Sequence, residues 1–335
     1  MTAASRVIIH IGLHKTGSTA IQHYFWRHSR ALMQHGIYYP ATGRPSSTVT
    51  QFGHHEVPWS FTPEASEPPQ SLLGRLRAEI EETTLGDVVL SSEEFSRMTP
   101  AAIAQLAEAL PFDTRVIFYY RRQSEIVQGL YGTDVLHGRE RRSLDAYARD
   151  FKGPLDYGRV ASDWGAVYGL AAVTARHYQP HAFPDRNIVP HFLQTMGLTG
   201  PSGEGEEFFY NVSMPWFAVL TVLRLRNARV SEATIAEVVA SFEIIFRNQR
   251  SKLGLFSPAE ANAFDQGFAE ANAAFSATYA PHEPPLAPHP VEGEDEYRDA
   301  RRGEWPEVEL TLQLAARHVR VVHETGLPPA GGTMQ

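Results

Sequence analysis

No cysteine occurs anywhere in the 335 residues. Disulfides, thiol nucleophiles, iron–sulfur clusters and cysteine-type zinc sites are therefore excluded. The absence fits a reducing compartment. Excess positive charge is missing too: 30 Lys+Arg stand against 38 Asp+Glu, a formal net charge of −8. A general binder of nucleic acid or anionic membrane is not expected from such a chain, and an anionic ligand would need a local positive pocket. Long apolar runs are also lacking. The run from Val7 is too short and too soon interrupted for a signal peptide, and Pro215–Leu223 falls far short of a membrane span. The expectation is a soluble, cytoplasmic protein. At 43% hydrophobic and 20% charged residues the composition is that of an ordinary globular protein.

What is present reads as strands alternating with helices. Val7–Leu13 is a β-branched apolar run fit for a buried strand, Gly36–Pro40 a short second strand, and Val88–Leu90, Arg115–Tyr120 and Ala171–His177 three more. Helical spacing marks Ala20–Gln34, Ser71–Glu82, Pro100–Leu110 and Ser124–His137, with Thr99 as an N-cap before Pro100. Residues 41–70 form a long Pro-, Ser-, Thr- and Gly-rich loop. The second half is mainly helical, over 215–227, 231–248, 258–279 and 306–324, with a proline-rich strap at 281–290. The expected organisation is an α/β core over 1–200, a helical extension over 201–327 packed on it, and a disordered tail over 328–335.

Parallel strands with helical crossovers give a sheet covered on both faces, and ligands bind beyond the carboxyl ends of its strands. Three polar strand ends fall in the first 125 residues: Leu13–Thr19, Ser91–Glu94 and Arg121–Ser124. In a parallel sheet they converge on one edge.

The first of these ends is Gly12-Leu-His-Lys-Thr-Gly-Ser-Thr19. Its glycine spacing is that of GxxxxGK[ST], but Ser18 stands where that motif has lysine, and Lys15 lies inside the loop. Such a loop can wrap phosphate oxygens with backbone N–H groups at a helix N-terminus, Lys15 adding a point charge. The displaced lysine argues against a magnesium-dependent ATPase; the bland alternative is any glycine-containing β–α turn. At the third end, Arg121 and Arg122 precede a helix start and make a second candidate anion site. The alternative there is a surface arginine pair in salt bridges.

These residues resemble the sulfotransferases that use 3'-phosphoadenosine-5'-phosphosulfate (PAPS), in the bacterial branch with an HxGxxKTGST-like loop. The resemblance covers roughly residues 6–200. It implies a P-loop NTPase-like, three-layer α/β fold. It further implies that Lys15, Thr16, Gly17, Ser18 and Thr19 hold the 5'-phosphate and sulfonate, with His14 bordering the loop as a structural or substrate-facing group. In the family's 3'-phosphate motif, RxxxxxxxSxY, Arg121 and Tyr131 match the first and last positions, while Gly129 stands at the serine. Ser124 is the candidate partial substitute, and the gap implies weaker discrimination for a 3'-phosphate.

The implied reaction is transfer of a sulfuryl group from PAPS to a hydroxyl or amine of a carbohydrate, glycolipid or small-molecule acceptor. Lys15 would stabilise the leaving phosphate, and no metal is called for. The candidate base is His55 or His54, with Glu93 or Glu94 next. The aromatic residues Phe52, Trp59 and Phe61 would stack on an acceptor or pack as a lid. Arg247–Gly254 is either a basic loop over the nucleotide or a solvated helix end. Two other readings stay open: a P-loop kinase or phosphotransferase, and a non-catalytic nucleotide-binding or scaffold protein on the same fold. Against the kinase stand Ser18 and the strand that runs into Ser91-Ser92 rather than Asp. No nucleic-acid partner, transmembrane segment or bound metal is expected.

Overall fold

The computed structural model describes residues 6–46, 51–200, 214–246, 254–290 and Gln313. The expected helix at 306–324, the tail from 328 and most of the basic segment 247–254 lie outside the described residues. Five strands, β1 (Arg6–Ile11), β2 (Ile37–Tyr38), β3 (Asp87–Ser92), β4 (Asp113–Tyr120) and β5 (Val173–His177), form a sheet of order β2-β3-β1-β4-β5. Every neighbouring pair is parallel. The central register sets Ile11 opposite Ser92 on one side and Phe118 on the other. The polar ends that follow β1, β3 and β4 therefore emerge on the same edge, as the sequence pattern requires.

The strands are buried on both faces, which accounts for their continuous apolar runs. Alternate residues Ile8, Val89, Ile117 and Tyr119 pack with Ile21, Tyr24 and Phe25 of helix Ser18–Arg27 and with Val189, Phe192 and Leu193 of helix Ile188–Met196. On the opposite face, Phe118 and Tyr120 meet Phe275 of helix Ala269–Tyr279, and Tyr120 also meets Tyr157 of helix Tyr157–Tyr168. Helix, sheet and helix make three layers, the α/β architecture expected, and a helical portion follows in the second half of the chain.

Some boundaries differ from the sequence reading. The helix expected over 20–34 is two, Ser18–Arg27 and Ser29–Gln34, broken at His28 (φ −98, ψ 14). The one expected over 258–279 is also two, Pro258–Gln266 and Ala269–Tyr279. The 41–70 segment carries a short helix, Glu56–Trp59. Helices Leu144–Asp150, Tyr157–Tyr168 and Ile188–Met196 have no counterpart in the sequence reading.

The chain divides into two compact units. The first comprises Met1–Arg122, Gly153–Tyr210 and Phe268–Leu286, and the second Gln123–Lys152, Asn211–Gly267 and Ala287–Gln335. The second unit thus draws residues 123–152 from within the expected 1–200 core. Inside it, the buried Arg226 donates to the carbonyls of Val135 (3.0 Å) and Leu136 (2.9 Å) at the C-terminus of helix Gln123–Leu136. It also pairs with Glu232. A cation on the negative end of a helix, reaching the Leu136 carbonyl and sharing the Val135 carbonyl with the Gly138 N–H, is a favourable arrangement. No helix among the described residues is long and apolar enough to cross a membrane.

Arg226→Ala is expected to lower stability by about 1–3 kcal/mol, because it removes a donor from the Val135 and Leu136 carbonyls, the former keeping only the Gly138 N–H. Thermal unfolding checks this, and an unchanged midpoint would remove Arg226 from the structural role given it.

Candidate active site

The turn after β1 is held by its own hydroxyls. Thr16 Oγ1 donates to the Leu13 carbonyl at 2.6 Å and Ser18 Oγ to the same oxygen at 3.4 Å. Gly17 (φ 80) caps helix Ser18–Arg27 in the left-handed region, and Lys15 is also left-handed at φ 64. For lysine that conformation costs on the order of 1 kcal/mol or more and persists only where surrounding structure enforces it. The enforcement comes from β4: Arg121 Nη1 donates to the Lys15 carbonyl at 2.8 Å, while the guanidinium carbon lies 5.4 Å from the centre of the Tyr178 ring. Gly12 is needed for close approach, since a Cβ there would sit 2.5 Å from Ser18 Oγ and 3.1 Å from Glu93 Cγ. The turn is therefore a tight cradle at the positive end of a ten-residue helix, with Lys15 within it and Arg121 bracing it.

The end of β3 supplies the neighbouring wall. His55 Nδ1 is 2.8 Å from Ser92 Oγ and 3.8 Å from Glu93 Oε2. Glu93 Oε2 accepts from Gln22 Nε2 at 2.8 Å, and Glu93 Cγ lies against Gly12. The His55 ring stacks on Trp59, with centroids 5.5 Å apart, and Trp59 is 39% exposed. Gly53 admits this packing, because a Cβ there would come within 2.7 Å of His55 Nε2. An imidazole, a carboxylate and the cradle are thus assembled within the first unit, and an exposed aromatic ring flanks the imidazole.

His54 is not part of that wall. It is fully buried, its Nε2 donates to the Pro40 carbonyl at 3.0 Å, and its Nδ1 accepts from the Ser91 N–H at 3.1 Å. Its own N–H donates to the Ser91 carbonyl at 2.7 Å. Both ring nitrogens are committed, so His54 works as a tether of the 41–70 segment to β3, and of the expected pair only His55 stands beside Glu93. His10 is buried as well, with Nδ1 2.8 Å from Ser91 Oγ. Burial pushes His54 down to about 3 and His10 down to about 4, the latter against the opposing pull of Glu93. His14, at the edge of the cradle, is lowered by burial in the same sense, while Glu93 and Glu94 act to raise it.

Ser124 lies in the second unit, and its donors are taken. Its N–H and Oγ donate to the two carboxylate oxygens of Asp265 at 2.8 and 2.7 Å, and His289 Nε2 is 3.2 Å from Oγ. Two residues of the wall, and the partner of Ser124 inside the second unit, escaped the sequence reading. Ser92 was visible only as part of a polar strand end. Gln22 carries a weak signal, a polar side chain four residues after Ser18 on an otherwise apolar helix face. Asp265 carries none, standing 141 residues from Ser124. Among the described residues no group of three or more His, Asp or Glu side chains is arranged to hold a metal ion.

The buried histidines make a checkable pH dependence. Their folded pKa values lie below the unfolded value, so the unfolded chain binds more protons as pH falls below about 6.5. Stability is then expected to decline from about pH 6.5 down to about 4 for His10 and about 3 for His54. Each contributes a slope of about 1.4 kcal/mol per pH unit. Denaturant unfolding at pH 7 and pH 5 measures it, and His54→Gln should flatten part of the slope. Equal stability at both pH values would contradict the burial argument.

No family model matches the chain. A curated protein of Archaeoglobus fulgidus, described as an uncharacterized protein, is 23% identical over 141 residues, which is 42% of this chain and 38% of that protein. This chain therefore matches well under half the length of that relative. Among solved structures, the crystal structure of a sulfotransferase from Alicyclobacillus acidocaldarius is similar to 70% of this chain and 96% of its own, at 18% identity and a TM-score of 0.40.

Proposed function

We propose that the chain is a sulfotransferase: it takes a sulfuryl group from a nucleoside 5'-phosphosulfate, the class that includes PAPS, and passes it to a hydroxyl or amine of an acceptor. The observation that carries the reading is the braced cradle of Leu13–Ser18 beside the His55–Glu93 pair. The cradle fits the 5' end of such a donor. It offers a helix N-terminus, a lysine within the turn, and glycines where a Cβ would fill the space.

In the reaction the acceptor oxygen or nitrogen bonds to sulfur, and the bond from sulfur to the phosphate oxygen breaks. The leaving phosphate gains negative charge, which Lys15 and the backbone N–H groups of Thr16, Ser18 and Thr19 offset. The acceptor proton goes to His55 Nε2, in the tautomer whose Nδ1–H donates to Ser92 Oγ. Glu93, 3.8 Å from Nδ1, favours the imidazolium that results, and Gln22 holds Glu93 in place. His14 borders the donor rather than taking part in proton transfer. The exposed Trp59 ring beside His55 suits a saccharide or other flat acceptor face.

Two measurements test the proposal. In thermal melts, adenosine 3',5'-bisphosphate (PAP) and AMP should each stabilise the protein, by about 2.7 kcal/mol at 100 times the dissociation constant, and Lys15→Ala should abolish the effect. A response to ATP with magnesium alone would favour the kinase reading. In turnover assays with an active acceptor, His55→Asn should lower kcat by about 100-fold or more, with nucleotide affinity changed less than about threefold. Undiminished kcat would move the base to Glu93.

A further inference from the structure

The first 55 residues hold no Asp or Glu. Arg6, Lys15, Arg27, Arg30 and Arg44 fall among them, and the other 25 of the 30 Lys+Arg share the rest of the chain with all 38 Asp+Glu. A chain of net charge −8 thus has a wholly cationic stretch. Three of its five cations have duties inside the fold. Arg6 pairs with Asp87, Lys15 lies in the cradle, and Arg44 donates to the Pro40 carbonyl. Arg27 and Arg30 are both exposed, where helix Ser18–Arg27 passes into helix Ser29–Gln34.

The two helices keep one phase across His28. The His28 N–H donates to the Tyr24 carbonyl at 2.9 Å, and the Leu32 N–H to the His28 carbonyl at 2.8 Å. One face, of Ile21, Tyr24, Phe25 and Leu32, is in the core. The other presents Trp26, Arg30 and Met33 at spacings of four and three residues, with Arg27 beside them. Met33 is 47% exposed and Trp26 half-buried. Phe52, also half-buried, packs on the Trp26 ring with centroids 4.9 Å apart. All of these residues belong to the first unit.

Apolar side chains set between arginines, in a stretch of chain without a carboxylate, have the chemistry of an interfacial surface. Tryptophan and methionine settle where headgroups meet acyl chains, and arginines there pair with anionic headgroups. A hydrophilic polyanion would use the arginines and leave Trp26 and Met33 idle. A second copy of the chain would bring like charges together. We infer that the outer face of residues 26–33 is a docking surface for a membrane bearing anionic lipid headgroups. Met33 and Trp26 enter the interface, and Arg27 and Arg30 meet lipid phosphates. The surface is independent of what the cradle binds.

Co-sedimentation with vesicles tests the inference. The protein should bind vesicles of equal parts phosphatidylglycerol and phosphatidylcholine, and bind phosphatidylcholine alone about tenfold more weakly or less. Added salt should release it. Replacing both arginines (Arg27→Ala with Arg30→Ala) should weaken binding about 20-fold, and Met33→Asp about tenfold, with thermal midpoints unchanged at these exposed positions. Absence of binding to the anionic vesicles, equal binding to both vesicle types, or undiminished binding by the double arginine variant overturns the inference. Loss with the arginines but not with Met33→Asp, matched by equal affinity for heparin, assigns the face to a hydrophilic polyanion and overturns it too.

Discussion

A single hydrogen bond, from Arg121 at the end of β4 to the carbonyl of Lys15 in the turn after β1, braces the candidate site. It joins the exits of two adjacent parallel strands and holds lysine in a backbone conformation that lysine does not favour on its own. Thr16 and Ser18 close the same turn from inside on the Leu13 carbonyl. Backbone strain of this kind persists only where surrounding structure over-determines it, and here the turn is held both from inside and from β4. The turn concentrates positive charge locally in a chain whose net charge is −8.

The wall beside that turn works by exclusion and alignment. Ser91 and Ser92 are consecutive on β3, so their side chains point to opposite faces. Ser91 meets His10 through its hydroxyl and His54 through its backbone, and Ser92 meets His55. One histidine is thereby sealed in the core and its neighbour is delivered to Glu93. Buried imidazoles stay neutral and serve as hydrogen-bonding struts.

The sheet was legible because both faces of a parallel sheet are covered, which forces apolar runs such as Val7–Ile9 and Val88–Leu90. The helix Ile188–Met196 was not, since Pro190 reads as a breaker although it sits harmlessly in the first turn. Its signals were there, in the Asn187 cap and the left-handed Gly197. Helix Tyr157–Tyr168 has buried residues at 157, 160, 161 and 164, a plain helical spacing masked by Gly158 and Gly165. In the site, the cradle followed from local pattern, Glu93 from a polar strand end and the His54/His55 pair from the family resemblance. The difference between His54 and His55 did not, because it depends on which side of β3 each meets. Nor did the link of Asp265 to Ser124 inside the second unit, which spans 141 residues of sequence and leaves no periodic trace.

The His54 tether separates two kinds of freedom in the 41–70 segment. Pro40 and Ser91 clamp the residue just before His55, so the height of His55 above the sheet is set by β3 and not by the stretch that follows. From Ser60 to Pro68 the backbone crosses to the helix Pro69–Glu82 without carrying that geometry. Descendants of this sequence can lengthen, shorten or recolour that crossing while the His55 imidazole keeps its place beside Glu93.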